Sequence, residues 1–452
     1  TWTDGDIDVA VGNAELINNK TNPMEAAYGD PAVVMDRESD EVLIMAVGGC
    51  TLFTSSYTNR SNPNIIAAIR STNGGLTWQT PENQTEAIYS LFDNGNALQA
   101  AFVGGGKIFQ SRIVKEGKYY RLYAALAARP NGNRVIYSDD FGRTWKALGG
   151  ENALPVPNGD EPKCEELPDG RVVITSRTSG GRLLNIFTYS DTKNGEGSWE
   201  AQTKATMSGL SASPSTNATN GEMLIVPAKR KLDGKELYVV LQSVPTGTTR
   251  SNVGIFYKEL ADADDIRDVE TFADNWDGFY QVSSTASAYS SLDLQADDKI
   301  AFFYEETLTK WGMKSNPVST SFPNGSGEHN YDGFENIYLP ISLETITDGK
   351  YGVYRKVNRG QYLQNYFYTL ADEAQLTSAQ KAALNEAIAN LPSEPSTEQI
   401  DNVYALLAGK AVTGIATHAA APARGVEKWL HDGAVYIMKN GTCYNVAGQR
   451  VK

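Results

Sequence analysis

The sequence predicts an all-β fold of the propeller type, and two observations carry this prediction. From residue 1 to about 345, short runs rich in Val, Ile, Tyr and Phe alternate with Gly, Asn and Asp turns, without long helical periodicity. Many short, evenly spaced strands are typical of a sandwich, a barrel or a propeller. An internal repeat then favours the propeller. The clearest predicted strands are Ala32–Asp36, Val42–Val47, Tyr119–Leu126, Val172–Ser176, Leu237–Gln242 and Ile300–Tyr304.

The repeat is a short turn motif with the pattern Ser-x-Asn/Asp-x-Gly-x-Thr-Trp. Residues 71–78 and 138–145 are complete copies, residues 190–199 are a copy with two extra residues, and Thr1-Trp2 matches the end of another. The Ser and Asp side chains are expected to bond local backbone groups, and Gly to adopt a conformation that other residues resist. Trp would pack the turn onto its own blade. We therefore expect the repeat to be structural and not catalytic.

The character of the chain changes after about Arg359. Residues Leu370–Ala408 are rich in Ala, Leu, Glu and Gln and are broken by Pro392 and Pro395, which predicts two helices with a linker between them. Short strands are expected again from Trp429 onward. The predicted domains are a propeller over 1–345, a linker with a helical segment over 346–418 and a small β tail over 419–452.

Composition excludes several classes of function. The 452 residues include 40 Lys+Arg and 54 Asp+Glu, and the net charge of −14 argues against a nucleic-acid binder. No apolar run reaches the length of a membrane span. No histidine precedes His329, so a histidine base, a Ser-His-Asp triad or a histidine zinc site is not expected in the main body. The three cysteines are too far apart for a zinc cluster or a disulfide framework.

Three further segments carry the chemistry. The first is Ser287-Ala288-Tyr289-Ser290, followed 16 residues after Tyr289 by Glu305. The second runs from Asp160 to Gly170 and contains three glutamates before an Asp-Gly turn, and the third is Arg250-Ser251-Asn252. Together with the repeats, they resemble the bacterial exo-α-sialidases (neuraminidases), whose repeat is the Asp box or BNR repeat. The resemblance covers roughly residues 1–345 and implies a six-bladed β-propeller with a small helical and β appendage at its C-terminus.

The resemblance implies a substrate with a carboxylate on its anomeric carbon, which the family holds with three arginines. Guanidinium groups suit this task because they are planar, permanently charged and able to bind a carboxylate bidentately. Arg182 and Arg250 match two of them, and Arg177 competes with Arg182. Arg182 is chosen because it follows Glu166 by 16 residues. Asp30 matches an aspartate that contacts polar groups of the sugar, although an Asx turn before a strand explains it equally well.

By the same resemblance, Tyr289 is the nucleophile, Glu166 is the base that takes its proton, and Glu305 braces the first arginine. Glu161 and Glu165 compete with Glu166 for the role of base. A tyrosine suits this substrate because a carboxylate nucleophile would be repelled by the substrate's own carboxylate, whereas a neutral phenol is not. The implied mechanism is double displacement with retention.

The function implied is hydrolysis of terminal sialic acid from glycoproteins, glycolipids or oligosaccharides, without metal or cofactor. A catalytically inactive sialic-acid lectin and a trans-sialidase remain alternatives. The family's first arginine, in an Arg-Ile-Pro motif, and its acid/base aspartate have no counterpart in the sequence. Since Thr1-Trp2 resembles the end of the first repeat, both are expected upstream. The substrate class and the abrupt beginning at Thr1 lead us to expect a secreted or periplasmic protein.

Overall fold

A computed structural model describes residues 28–49, 51–93, 97–130, 132–306 and 336–409, and the backbone alone at 307, 334–335, 426–431, 434–439 and 442–445. The chain divides into two compact units, Thr1–Gly409 and Lys410–Lys452. In the described part of the first unit, the strands form five separate sheets. The predicted all-β, propeller-like fold is therefore confirmed, while the sixth blade stays a prediction.

Sheets 1 and 2 come from the first third of the chain, and their strands are numbered here along the sequence. Sheet 1 has the spatial order β4-β3-β2-β1-β6, and only its β1–β6 pair is parallel. In sheet 2 the order is β10-β9-β8-β5, with β7 also paired to β8. Sheet 1 contains β1 (Tyr28–Met35), β2 (Val42–Gly48), β3 (Ile65–Ser71), β4 (Glu82–Asn83) and β6 (Gly106–Lys107). Sheet 2 contains β5 (Ala100–Val103), β7 (Phe109–Glu116), β8 (Tyr119–Arg129), β9 (Gly132–Ser138) and β10 (Lys146–Ala147).

Sheets 3 to 5 follow along the chain and are antiparallel. Sheet 3 contains β11 (Pro162–Glu166), β12 (Val172–Thr178), β13 (Gly181–Asp191), β14 (Glu196–Trp199) and β15 (Thr203–Ala205). Sheet 4 contains β16 (Met223–Arg230), β17 (Glu236–Pro245), β18 (Val253–Leu260), β19 (Gly278–Gln281) and β23 (Tyr351–Val353). Sheet 5 contains β20 (Ser287–Leu294), β21 (Lys299–Thr307) and β22 (Phe334–Ser342).

Apolar side chains between neighbouring sheets form the core. Leu43 of sheet 1 and Leu122 of sheet 2 belong to one fully buried cluster. Ile174 of sheet 3 packs in a second cluster that includes residues of sheet 2, and Leu241 and Phe302 join sheets 4 and 5 in a third. Strands such as β12 and β17 are buried at consecutive positions and hence on both faces, which explains why they are apolar runs rather than strict alternations.

The innermost strands bring distant parts of the sequence to one place. Strand β16 contacts both β11 and β20. The beginning of β1, the residue before β11 and the beginning of β20 all line one cavity, through Asp30, Glu161 and Tyr289. The cavity therefore lies at the end of the molecule where these inner strands begin.

The two complete repeats form turns with the same hydrogen bonds. Ser71 Oγ accepts the N–H groups two and four residues further on, at 3.3 and 2.9 Å, and Ser138 Oγ does the same at 3.3 and 2.7 Å. The Oδ1 atoms of Asn73 and Asp140 each accept the N–H four residues further on, at 3.0 and 2.8 Å. The predicted side-chain to backbone bonding of the repeat is confirmed in both copies.

The third, longer segment turns differently. Asp191 Oδ1 accepts the N–H of Asn194 at 3.1 Å, and the Trp199 indole N–H donates to the carbonyl of Leu148 at 3.1 Å. Trp199 also packs against Phe187, with ring centroids 5.2 Å apart. The tryptophan thus packs on its own sheet 3, as the sequence predicts, and also bonds the residue that follows β10 of sheet 2.

Three helices, not two, follow the last strand of sheet 4. The first begins at Arg359, well before the predicted Leu370, because Asn358 caps it by accepting the N–H of Gln361. The proline-containing linker lies between the second and third helices, as predicted. The helices of the described residues are α1 (Thr85–Tyr89), α2 (Val269–Ala273), α3 (Leu343–Ile346), α4 (Arg359–Glu373), α5 (Ser378–Ala389) and α6 (Thr397–Leu407), with 3₁₀ turns at Ser90–Phe92 and Ala263–Ile266.

Helix α6 is joined to sheet 3 by hydrogen bonds. Tyr404 Oη donates to Asp169 Oδ2 at 2.8 Å, and Thr192 Oγ1 donates to Asp401 Oδ1 at 2.5 Å. The helices that the sequence places in a linker thus pack within the first unit. None of the helices in the described residues is long and apolar enough to cross a membrane.

The second unit contains a small antiparallel sheet of three strands. These are β24 (Val426–His431), β25 (Ala434–Lys439) and β26 (Thr442–Asn445), in the order β24-β25-β26. Short strands in this region are what the sequence predicts.

Candidate active site

The cavity at the beginning of the inner strands has a volume of about 580 Å³. Its polar wall contains the carboxyl groups of Asp30, Asp160 and Glu161, the guanidinium of Arg177 and the hydroxyl of Tyr289. The rest of the lining is mainly apolar and includes Val47, Leu52, Phe53 and Phe102. Such a mixture of charged and apolar walls suits a polar ligand that also carries apolar groups.

Tyr289 and Glu161 form the central pair of the cavity. Tyr289 Oη donates a hydrogen bond of 2.7 Å to Glu161 Oε1. The other carboxylate oxygen of Glu161 accepts a bond of 2.8 Å from Arg177 Nη1. Burial, and then the charge of Glu161, raises the pKa of the Tyr289 phenol. The phenol is therefore protonated in the free protein and already bonded to a group that can accept its proton.

The structure corrects the prediction that Glu166 faces Tyr289. Glu161 lies just before β11 at the cavity, whereas Glu166 ends β11, five residues and roughly 17 Å further along an extended strand. The Glu166 carboxylate accepts bonds from the Ser111 hydroxyl and, at 2.8 Å, from the N–H of Arg112. Burial raises the pKa of Glu166. Glu166 is therefore bonded to β7 and lies outside the cavity that contains Tyr289.

Arg177 takes the place that the sequence analysis gave to Arg182. The two are cross-strand partners on β12 and β13, but Arg182 is only 1% exposed. Arg182 donates to Thr175 Oγ1 and to the carbonyls of Thr219 and Gly221, at 3.1, 3.1 and 3.4 Å. Burial lowers its pKa to about 10. Arg182 is thus a buried structural cation, while Arg177 lines the cavity.

Arg250, which the sequence analysis assigns to the substrate carboxylate, lies beside Tyr289. Its guanidinium carbon is 5.9 Å from the centre of the Tyr289 ring. The Arg250 carbonyl accepts the N–H of Ser287 at 2.9 Å, and Ser251 forms a bridge with Ala286, so the arginine turn is tied to the nucleophile strand. Toward the rest of the described residues, the Arg250 guanidinium makes no hydrogen bond.

Glu305 also contacts the tyrosine, through the backbone. Its Oε2 accepts the N–H of Tyr289 at 3.0 Å. Strand β20 has a bulge here, so that Ala288 and Tyr289 together face Glu305 on β21. The bracing of a first arginine, which the resemblance implies for Glu305, stays a prediction.

Asp30 lines the cavity and has an unusual backbone. Its φ of 46° is in the left-handed region, and β1 is irregular between Gly29 and Ala32. Gly105 packs against it so closely that a Cβ there would lie 3.4 Å from the Asp30 Cα. Burial, followed by the charges of Glu161 and Glu305, raises the pKa of the Asp30 carboxyl. The geometry is compatible with a contact to substrate and disfavours an ordinary turn before a strand.

We expect Asp30→Asn to stabilise the free protein at neutral pH while lowering substrate affinity. A carboxyl whose pKa rises on folding costs stability as pH increases from its unfolded value of about 3.9 through the raised folded value. Removing the charge removes this cost. The melting temperature should therefore rise by about 1–2 °C at pH 7 and less at pH 4.

Thermal unfolding at both pH values checks this expectation. Asp348→Asn is the matched control, because Asp348 also has a positive φ, of 52°, and lies outside the cavity. If Asp30→Asn raised the melting temperature equally at both pH values, and Asp348→Asn did the same, the preference of asparagine for a positive φ would explain the gain, and the loss of the Asp30 charge would not.

Comparison with known proteins finds similarity to one protein in sequence and to solved structures in fold. No family model matches the sequence. The chain is 35% identical over 159 residues to a protein named sialidase from Micromonospora viridifaciens, a match that covers 34% of this chain and 23% of that protein. The matched segment thus spans about a quarter of the relative's length.

Solved structures share the fold at low identity. The leech intramolecular trans-sialidase, complexed with 2,7-anhydro-Neu5Ac, has 15% identity and a TM-score of 0.53, over 71% of this chain and 57% of that chain. The intramolecular trans-sialidase from Ruminococcus gnavus has 16% identity and a TM-score of 0.49, over 67% of this chain and 78% of that chain. At these identities the likeness concerns the fold alone.

Within the described residues, no three His, Cys, Asp or Glu side chains are grouped so that they could hold a metal ion.

Proposed function

We propose that this chain is a member of the sialidase family and an exo-α-sialidase, a glycoside hydrolase that removes terminal sialic acid from glycoproteins, glycolipids or oligosaccharides. The observation that carries the proposal is the hydrogen bond of 2.7 Å from Tyr289 Oη to Glu161, inside a cavity that also contains Arg177. A nucleophile, a base in contact with it and a cation that orients the base are the parts that nucleophilic catalysis requires.

Tyr289 attacks the anomeric carbon of the sialoside while Glu161 accepts the phenol proton. The C–O bond to the leaving sugar breaks, and the leaving oxygen takes a proton from a general acid, for which the resemblance implies an aspartate. A water molecule then attacks the anomeric carbon from the face that the leaving sugar occupied and gives a proton to the now deprotonated general acid, while the C–O bond to Tyr289 breaks and the phenol recovers its proton from Glu161. Two inversions give net retention at the anomeric carbon.

The substrate carboxylate binds to Arg177 and Arg250. Arg177 uses Nη1 for Glu161 and faces Asp160 through Nε at 3.4 Å, and its Nη2 has no partner among the described residues. The guanidinium of Arg250 lies over the Tyr289 ring. Two cations around the phenol also favour its ionisation during attack, and both lower the pKa of Tyr289 against the larger effects of burial and Glu161.

We expect Arg177→Lys to weaken binding of a sialic-acid analogue that retains the carboxylate by about 10- to 100-fold. A lysine ammonium cannot bind Glu161 and a ligand carboxylate at once in the fork geometry of arginine. The inhibition constant of 2-deoxy-2,3-didehydro sialic acid measures this loss. Arg143→Lys is the control, since Arg143 is exposed and pairs with Glu41 outside the cavity, and equal affinities in all three proteins would contradict the assignment.

We also propose that the propeller has six blades. On sheet 1, Val33 and Met35 are 45% and 54% exposed, and on sheet 5 the cross-strand partners Phe303 and Tyr338 are 47% and 53% exposed. Apolar faces of this kind are covered by a neighbouring blade in a closed propeller. The substrate class further leads us to propose a secreted or periplasmic location.

Product analysis tests the proposed activity. The purified chain is incubated with 4-methylumbelliferyl α-sialoside, with and without a galactoside acceptor. Free sialic acid identifies a hydrolase, transfer to the acceptor a trans-sialidase, and an anhydro sugar an intramolecular trans-sialidase. Binding of the sialoside without release of umbelliferone would show a lectin and would contradict the proposed catalysis.

A further inference from the structure

One peptide bond next to the proposed nucleophile is held from both sides. Strand β20 bulges at Ala288 and Tyr289, and a bulge leaves backbone groups outside the regular ladder. The N–H of the Ala288–Tyr289 peptide donates to Glu305 Oε2 at 3.0 Å, and its C=O accepts from Thr219 Oγ1 at 3.0 Å. Two side chains thus replace the bonds that a regular strand would make.

Thr219 is well placed to hold this carbonyl. Its side chain is buried, with 1% exposure, and its hydroxyl is 3.0 Å from both the Ala288 and the Asn220 carbonyl oxygens. Its own carbonyl accepts from Arg182 Nη1 at 3.1 Å, while Arg182 Nε donates to Thr175 at 3.1 Å. The buried guanidinium therefore fixes the backbone of Thr219, and Thr219 in turn fixes the bulge.

The orientation of this peptide controls the direction of the Tyr289 side chain. The nitrogen of the peptide is bonded to the Tyr289 Cα, so a rotation of the peptide plane moves the phenol relative to Glu161. The flanking residues are anchored separately: the N–H of Ser287 donates to the Arg250 carbonyl, and the Ser290 and Ser243 hydroxyls are 2.8 Å apart. The Ala288–Tyr289 peptide is held by its hydrogen bonds to Glu305 and Thr219.

We propose that Thr219 is a positioning residue for Tyr289, which, together with Glu305, clamps the Ala288–Tyr289 peptide and aims the phenol at Glu161. This inference rests on the proposed function, in which Tyr289 is the nucleophile. Small displacements of a reacting group cost large factors in rate without much effect on ground-state binding. The clamp therefore acts on kcat and leaves KM nearly unchanged.

The test compares Thr219→Val with Thr219→Ser. Valine has nearly the same shape as threonine but lacks the hydroxyl, whereas serine retains it. We expect kcat to fall about 10- to 100-fold in Thr219→Val with KM within about threefold, and Thr219→Ser to retain kcat within about threefold. If Thr219→Val does not fold, Thr219→Ala is used instead, because it removes the hydroxyl without putting a methyl group in its place.

Thr192→Val is the matched control for loss of a buried hydroxyl. Thr192 is 4% exposed and bonds Asp401 on the far side of sheet 3, outside the cavity. This variant should lose stability but keep kcat. An unchanged kcat in Thr219→Val, or an equal fall of kcat in Thr219→Ser or Thr192→Val, would overturn the positioning role.

A crystal structure of Thr219→Val separates this inference from the proposed function. The Tyr289 Oη to Glu161 distance, 2.7 Å in the native chain, should lengthen, and this holds whether or not the native protein releases sialic acid. An unmoved phenol would overturn the clamp, whereas absence of release from the native protein would overturn the proposed function alone.

Discussion

Tyr289→Phe is expected to lower kcat for sialoside hydrolysis by at least about 1000-fold, or about 4 kcal/mol of transition-state stabilisation. The variant lacks the oxygen that forms the bond to the anomeric carbon. The hydroxyl bonds only Glu161 among the described residues, and the ring with its contact to Arg250 is retained. The fold should therefore be preserved, and kcat measured with an umbelliferyl sialoside reports the loss.

Tyr338→Phe is the matched control for this prediction. Tyr338 lies on β22 in the neighbouring part of sheet 5, is 53% exposed, and bonds Gln295 outside the cavity. Its removal should leave kcat within about twofold. Comparable turnover in Tyr289→Phe and the native chain would exclude Tyr289 as the nucleophile.

Glu161→Gln is expected to impair turnover, whereas Glu166→Gln is expected to impair folding stability. Glu161→Gln should lower kcat by about 100- to 10,000-fold, because an amide cannot accept the Tyr289 proton. Glu166→Gln should cost about 1–2 kcal/mol of folding stability, because the amide has one acceptor oxygen for two donors, the Ser111 hydroxyl and the Arg112 N–H, and its NH2 group faces the other donor. Its kcat per folded molecule should stay within about threefold of native.

Turnover normalised to folded protein, together with urea unfolding, distinguishes the two variants. Each substitution removes one carboxylate, just before β11 in Glu161→Gln and at its end in Glu166→Gln, so each serves as the control for the other. A large loss of kcat in Glu166→Gln with native turnover in Glu161→Gln would restore the assignment that the sequence alone favours.

The strands of the propeller could be predicted because their determinants are local. Apolar runs of five to eight residues between Gly, Asn and Asp turns correspond to strands such as β2 and β12. The hydrogen bonds of the repeat also involve residues no more than four apart, such as Ser71 and Gly75. The start of α4 was missed because Arg359 to Phe367 is rich in tyrosine and glutamine, and the Asn358 cap is a weak signal by itself.

The identity of the base could not be decided from spacing. Arg177 follows Glu161 by the same 16 residues that separate Arg182 from Glu166. Only the hairpin decides between the two pairs: Glu161 and Arg177 lie together at the open end of β11 and β12, where the Arg177 N–H donates to the Glu161 carbonyl at 3.0 Å. A strand beginning at Pro162 was the available signal, because the residue before an inner strand lies at the mouth of the propeller.

The role of Thr219 had no signal in the sequence. Thr219 is 70 positions from Tyr289 and lies in a polar stretch without a motif. It meets Ala288 only because β16 and β20 are neighbouring inner strands. Contacts between blades form only when the whole propeller is assembled, and a local sequence pattern does not predict them.

The role of Tyr289 as nucleophile is tested most directly by covalent labelling with a 3-fluorosialyl fluoride, followed by identification of the labelled residue. Fluorine beside the anomeric carbon slows both steps, while the fluoride leaving group keeps the first fast enough for the intermediate to accumulate. Intact mass and peptide sequencing by mass spectrometry locate the label. One sialyl adduct is expected on Tyr289, and none in Tyr289→Phe. An adduct on a carboxylate such as Glu161, or on no residue despite turnover, would contradict the role of Tyr289 as nucleophile.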